Sequence, residues 1–207
     1  MTDEAPQAEG TTPTSPRRAG LGCLLELVET LALTLVIFFV VQNFVAQPFQ
    51  VKGESMEHSF EPDDYVLVDK LSPRWDPYSR GDVVVLQPPD GWEVERTPFI
   101  KRVIGVAGDT IQVKDGQVFV NGTALDEPYL FADADGTRQS TTSDEPQWIV
   151  PDNDVFVMGD HRQASADSRL FGPIPVASVL GRALIRYWPL AAFGTIQTPT
   201  YAGVPVP

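Results

Sequence analysis

The chain has 207 residues, enough for one core or a core with a small subdomain, and 43% of them are hydrophobic. A net charge of −13 with no basic stripe argues against a nucleic-acid partner. Cys23 is the single cysteine, so no intramolecular disulfide can form, and with two histidines, His58 and His161, the chain is poorly supplied for a structural zinc site. No cofactor motif is visible.

Residues 1–20 are polar and rich in Thr, Pro, Glu and Ala, too poor in apolar surface to order themselves, and read as a disordered tail closed by Arg17-Arg18. Apolar residues then dominate from Leu21 to Val41. About 20 such residues cross a hydrocarbon layer of roughly 30 Å. Glu26 and Glu29 lie at the arginine end, within reach of headgroups. A cleaved signal peptide and a buried helix compete with this reading. The run is longer than a signal-peptide core of about 7–15 residues, however, and Phe44-Val45-Ala46 is a poor cleavage site. A transmembrane anchor over residues 21–45 is therefore expected. The arginines would keep the N-terminus in the cytoplasm and put everything after Gln42 outside, as in a single-pass plasma-membrane protein. The flanks of Arg17-Arg18 do not fit a twin-arginine signal, and Cys23 reads as a packing residue.

From Gln47 onward apolar residues alternate and turn residues are frequent. Strands are predicted over Phe49–Lys52, Tyr65–Lys70, Asp82–Gln87, Phe99–Ile104, Thr110–Lys114, Gln117–Val120, Val155–Met158 and Gly181–Tyr187. Asp115-Gly116 marks the clearest hairpin, because that dipeptide tolerates the positive φ of a tight turn. Ala166–Phe171 is a candidate short helix. The stretch from Asp126 to Asp154 carries eight carboxylates against one arginine, Arg138, and reads as a solvated loop. After Leu190 a Pro-, Gly- and Thr-rich segment shows no chemistry. The pattern predicts a β-rich unit from residue 46 to 190 and a flexible tail over 191–207.

Ser55, in Gly53-Glu54-Ser55-Met56-Glu57, is a candidate nucleophile only if a base takes its proton. His58 is too local to be held against it by a third group, and His161 reads as a surface or structural residue. Lys101, in Phe99-Ile100-Lys101-Arg102-Val103-Ile104-Gly105, shares one strand face with Phe99 and Val103, among apolar neighbours. An ordinary lysine, pKa about 10.4, is neutral in only ~1 molecule in 2,500 at pH 7. Desolvation that lowered it by ~2–3 units would cost roughly 3–4 kcal/mol, within reach of a buried site. The competing reading is a lysine at a strand edge that snorkels to solvent.

Those two blocks, followed by Gly159-Asp160-His161-Arg162 and Ser165-Ala166-Asp167-Ser168-Arg169, resemble the bacterial type I signal peptidases, membrane-anchored Ser/Lys proteases. The resemblance covers roughly Gln47 to Pro189. It implies a mainly β fold: one transmembrane helix, then an all-β catalytic domain over 46–106 and 151–190 with a small β-subdomain inserted at 107–150. It implies Ser55 as nucleophile, Lys101 as general base, an acyl-enzyme, and Ser165 as the hydroxyl that orients the amine. Arg102, Asp160, Asp167 and Arg169 match charged residues that pair to hold the site walls. The family often has Ser or Thr where this chain has Gly53, so a side-chain oxyanion donor is missing there. His161 stands where Asn is usual, and His58-Ser59-Phe60 replaces Pro-Thr-Leu. By resemblance, strand edges at Phe49–Gly53 and Pro98–Lys101 take an extended peptide. Phe49, Val51, Met56, Phe60, Phe99 and Ile100 would wall two shallow pockets for small side chains, giving a small-x-small cleavage rule. The implied partners are signal peptides of exported preproteins, the lipid bilayer and nearby translocation machinery. Trp75, Tyr78 and Trp188 are candidates to rest the domain on lipid. Two rival functions remain at this stage: a related Ser/Lys autoprotease, and a non-catalytic anchored domain that binds peptides.

Overall fold

The computed structural model describes residues 16–89, 97–145 and 147–204, with side chains from residue 22. Two compact units emerge, residues 1–41 and 42–207. In the first, α1 (Pro16–Val40) begins four residues before the expected end of the polar tail, most of which lies outside the described residues. Gly22–Val45 is long and apolar enough to cross a membrane, and its window is wholly unburied. At 1.5 Å per residue its 24 residues reach about 36 Å. The hydroxyls of Thr30 and Thr34 donate to the carbonyls of Glu26 and Thr30, both at 2.8 Å, so these polar side chains are satisfied within the helix.

The second unit is built on antiparallel sheets, as the alternation and turn signals predict. Its strands are β1 (Ala46–Gln50), β2 (Tyr65–Asp69), β3 (Val83–Leu86), β4 (Phe99–Val106), β5 (Thr110–Lys114), β6 (Gln117–Val120), β7 (Thr123–Ala124), β8 (Gln147–Ile149), β9 (Asp154–Met158), β10 (Ile174–Pro175), β11 (Val179–Trp188) and β12 (Gly194–Thr195). The larger sheet runs β1-β2-β11-β3-β4-β9-β10, with β12 also on β11; the smaller runs β7-β6-β5-β8. Asp115 (φ 50°) and Gly116 (φ 80°) make the predicted tight turn between β5 and β6. A single helical turn, α2 (Ser168–Phe171), replaces the longer candidate helix.

β3 is apolar at every position because both its faces are covered. Val83 and Val85 join Val51, Met56, Phe60, Val66 and Val68 on one side; Val84 and Leu86 join Val103, Val157 and Ile174 on the other. A third cluster lies against the smaller sheet, with Ile104, Phe156 and Met158 meeting Ile111, Val118 and Val120.

Two segments differ from expectation. The acidic stretch is not all solvated: Glu127, Tyr129, Leu130, Gln139 and Thr141 are buried. The reason is a buried partner, Arg162, whose guanidinium bonds both Glu127 carboxylate oxygens and Thr141 Oγ1. The segment after Leu190 is packed rather than loose. β12 pairs with β11, Thr198 Oγ1 donates to Asp82 Oδ1 at 3.1 Å, and Tyr201 and Val204 enter the third cluster.

Candidate active site

Ser55 sits in a turn, not on a strand or a helix end. Gly53 opens it with φ at 77°, a left-handed conformation in which serine or threonine would be strained. That conformation accounts physically for a residue with no hydroxyl there. Turn bonds run from the Glu57 N–H to Glu54 O (3.0 Å), from Ser59 N–H to Met56 O (3.1 Å) and from Phe60 N–H to Met56 O (2.8 Å). Met56, fully buried among Val51, Phe60, Val66 and Val83, pins the turn to the core. Burying a side chain of that size stabilises by roughly 1.5–3 kcal/mol.

The segment after β9 grips the turn from the other side. The His161 N–H donates to Ser55 O at 3.0 Å, and the Ser59 hydroxyl donates to Asp160 Oδ2 at 2.6 Å. A Cβ on Gly159 would lie 2.5 Å from Ser55 O and would overlap the Ser165 hydroxyl, so only glycine fits. The Ser55 N–H makes no hydrogen bond among the described residues.

Lys101 comes from the middle of β4 and is only 3% exposed. Its Nζ lies 2.7 Å from Ser55 Oγ, donates to Ile100 O at 3.2 Å, and stands 5.0 Å from the centre of the Phe99 ring. Burial pulls its pKa down from 10.5 to about 8; the Asp167 and Asp160 carboxylates pull it back up, and Arg169 opposes them. Neither histidine reaches Ser55 Oγ. His58 is exposed with φ at 78°, and His161 Nδ1 is 2.9 Å from Glu57 Oε2.

The charged residues behind the dyad are paired. Arg102 meets Asp160 with two bonds, 2.9 and 2.7 Å, and a third N–H reaches Gly81 O at 2.8 Å. Asp167 accepts from Arg169 Nε and NH2, both at 2.9 Å, and from the Gly159 N–H at 3.0 Å. Burial pushes the Asp167 pKa up, but Arg169 and the backbone donor outweigh it and hold the carboxyl below its usual range. The Ser165 Oγ is buried and forms no hydrogen bond in this structure, so the bond to Lys101 implied by resemblance is not made.

A cavity of about 180 Å³ opens beside the dyad, lined by Gly53, Glu54, Ser55, Ile100, Lys101, Ala164 and Ala166. A much smaller hollow adjoins it, against Phe49, Val51, Phe99 and Ile100. Met56 and Phe60 line neither; both are buried beneath the turn, because the core needs them there. Two strand edges are open here. β1 is the first strand of its sheet, and β9 begins pairing with β4 only at Arg102, leaving Phe99–Lys101 bonded on one side alone.

Sequence reasoning missed Glu57, Ser59, Glu127, Tyr129 and Arg162. Arg162 stood inside the Gly-Asp-His-Arg block and could have been found there. Glu127 gave no signal among so many exposed carboxylates.

The family model described as "Signal peptidase, peptidase S26" matches residues 24–188. This chain belongs to that family. A signal peptidase I from Leptolyngbya laminosa is 32% identical over 201 residues, covering 94% of each chain. A signal peptidase IB from Staphylococcus aureus is 32% identical over 181 residues, covering 82% of this chain and 92% of its own. A solved signal peptidase I from Enterococcus faecalis V583 is 31% identical, covers 52% of this chain and 97% of its own, and overlays with a TM-score of 0.42. As a peptidase S26 member the chain is a serine endopeptidase, a hydrolase.

Proposed function

We propose that this signal peptidase removes signal peptides from exported preproteins with a Ser55–Lys101 dyad, cutting after a small-x-small motif. The observation that carries the reading is the 2.7 Å approach of a buried, pKa-lowered amine to the Ser55 hydroxyl. With a pKa of about 8, about one molecule in ten has a neutral Lys101 at pH 7, several hundred times the share of an ordinary lysine. The neutral amine takes the hydroxyl proton as Ser55 Oγ attacks the scissile carbonyl, then returns it to the departing amine. Water, activated by the same amine, hydrolyses the acyl-enzyme. The oxyanion is met by the unengaged Ser55 N–H. Gly53 supplies no side-chain donor, so a second donor must come from water or substrate. Ser165 would orient the amine after a rotation of its hydroxyl.

An extended signal peptide adds to the strand edges at Phe49–Gly53 and Pro98–Lys101 and presents a small side chain to the hollow beside Phe49, Phe99 and Ile100. A hollow that small rejects large residues by sterics alone. α1 would hold the domain at the outer membrane face near the translocation machinery, with the arginine end in the cytoplasm. Trp75 and Trp188, 67% and 50% exposed, are suited to the lipid interface; Tyr78 packs against the Val84 cluster and is not.

Incubating the purified protein with a preprotein tests the reading. One cut after small-x-small is expected, lost in Ser55→Ala and in Lys101→Ala. Full activity in Lys101→Ala would end the dyad proposal.

A further inference from the structure

We propose that Glu57 and His161 form a positioning pair that holds the nucleophile turn in register with Lys101. The inference rests on Ser55 as the nucleophile. Glu57 lies two residues after Ser55, on the partly buried rim of the turn, while His161 follows Asp160 on the facing segment. An ionised carboxylate only accepts, so at 2.9 Å the imidazole Nδ1–H must donate to Glu57 Oε2. The same residue's backbone N–H donates to Ser55 O. His161 thus holds the turn at two points, one at the nucleophile and one at the rim.

The ring itself is fixed from a third element. Phe131, from the inserted segment, stacks on the imidazole with centroids 4.1 Å apart and planes 7° from parallel. The Phe131 N–H also donates to Asp160 O at 3.1 Å, so the aromatic platform and the histidine backbone are tied together. A flat ring held in one plane sends its Nδ1–H in one direction, towards Glu57. Asp160, the nearest other carboxylate in sequence, is turned away to Arg102 and Ser59. The pair therefore links the insert to the reacting serine through Phe131, His161, Glu57 and the turn. Without it, the turn keeps the Ser55 carbonyl bond and the Ser59–Asp160 bond but loses its anchor at Glu57, and the hydroxyl samples positions out of reach of Lys101.

Steady-state kinetics on a signal-peptide substrate test this with full-length protein. Glu57→Ala and His161→Ala are each expected to lower kcat roughly tenfold with KM changed less than about twofold, since misplacing a reacting group slows chemistry rather than binding. Combining them should lower kcat no further than either alone, because both remove one interaction. Glu57→Gln, which keeps an acceptor oxygen, should recover most of the loss. Additive losses, a change confined to KM, or no recovery with glutamine would overturn the pair. Glu57 is only partly buried and belongs to no apolar cluster, and glutamine keeps its size, so the Glu57 variants give an answer even if His161→Ala fails to fold. Ser55→Ala run alongside separates the two ideas: an active Ser55→Ala sinks the nucleophile, whereas an inactive Ser55→Ala beside fully active Glu57→Ala sinks only the positioning pair.

Discussion

Burial of the Lys101 amine acts on activity and on stability in opposite directions. On the proposed mechanism the neutral form is the base, so kcat/KM should rise about tenfold per pH unit up to pH 8 and level off above it. A midpoint near 6.5 would point to a histidine instead. In the unfolded chain the amine keeps its proton to about 10.5, while in the folded chain it loses it near 8. Between those values the unfolded chain holds more protons, so this residue's cost to folding is complete below pH 8 and fades as pH rises to 10.5. The gap corresponds to about 3 kcal/mol. Lys101→Met should therefore be inactive yet more stable at pH 7 by up to that amount in urea unfolding, with the gain shrinking at pH 10. Gly159→Ala makes the opposite case: the added methyl must displace Ser55 O or the Ser165 hydroxyl. A loss of about a hundredfold in kcat is expected, since an ångström of misplacement costs that much. The pairing of Ser55 with Lys101 was legible only through the four sequence blocks and the resemblance they carry, since alternation placed Lys101 among apolar neighbours but left the snorkelling reading open. The unbonded Ser165 hydroxyl was not, because the partners of one buried side chain leave no trace in the pattern.

At the scale of elements, the insert is joined to the main sheet by ion pairing as well as by apolar contact. Arg162 and Glu127 are both almost fully buried, and the Tyr129 hydroxyl donates to Glu127 Oε1 at 2.9 Å. Removing one charge leaves the other buried alone. Glu127→Ala should cost about 3–5 kcal/mol, whereas Arg162→Met with Glu127→Leu should cost clearly less, measured by denaturant unfolding. Most longer strands were readable from alternation, and β3 from its unbroken apolar run, whereas β1, expected at Phe49–Lys52, runs from Ala46 to Gln50. β7, β10 and β12 were not, since a two-residue pairing has none, and β8 has only three residues. The packing of residues 194–204 was hidden for a related reason: its Pro, Gly and Thr content reads as loose, and only Tyr201 and Val204 carry the apolar surface that docks it.

For the whole molecule, the division at residue 41 predicts that the chain from Gln42 onward folds without α1. Its thermal midpoint should match the same unit's transition in the full-length protein within a few degrees. It should cleave a soluble signal-peptide analogue at a similar kcat but process a membrane-inserted preprotein far more slowly, since the anchor supplies local concentration rather than chemistry. A fragment that fails to fold, or equal rates on both substrates, would contradict this. The apolar helix was legible from composition, and the mainly β character of the rest from alternation and turn residues. The way the last segment binds the two sheets together was not.

That last segment bears on how the protein is made. The Tyr201 hydroxyl meets that of Tyr129 at 2.7 Å, and Val204 fills the same apolar cluster. While the ribosome still encloses these residues, the inner face of the small sheet has no lid. Until residues 201–204 have docked, a nascent chain would thus carry an uncovered apolar surface open to chaperones.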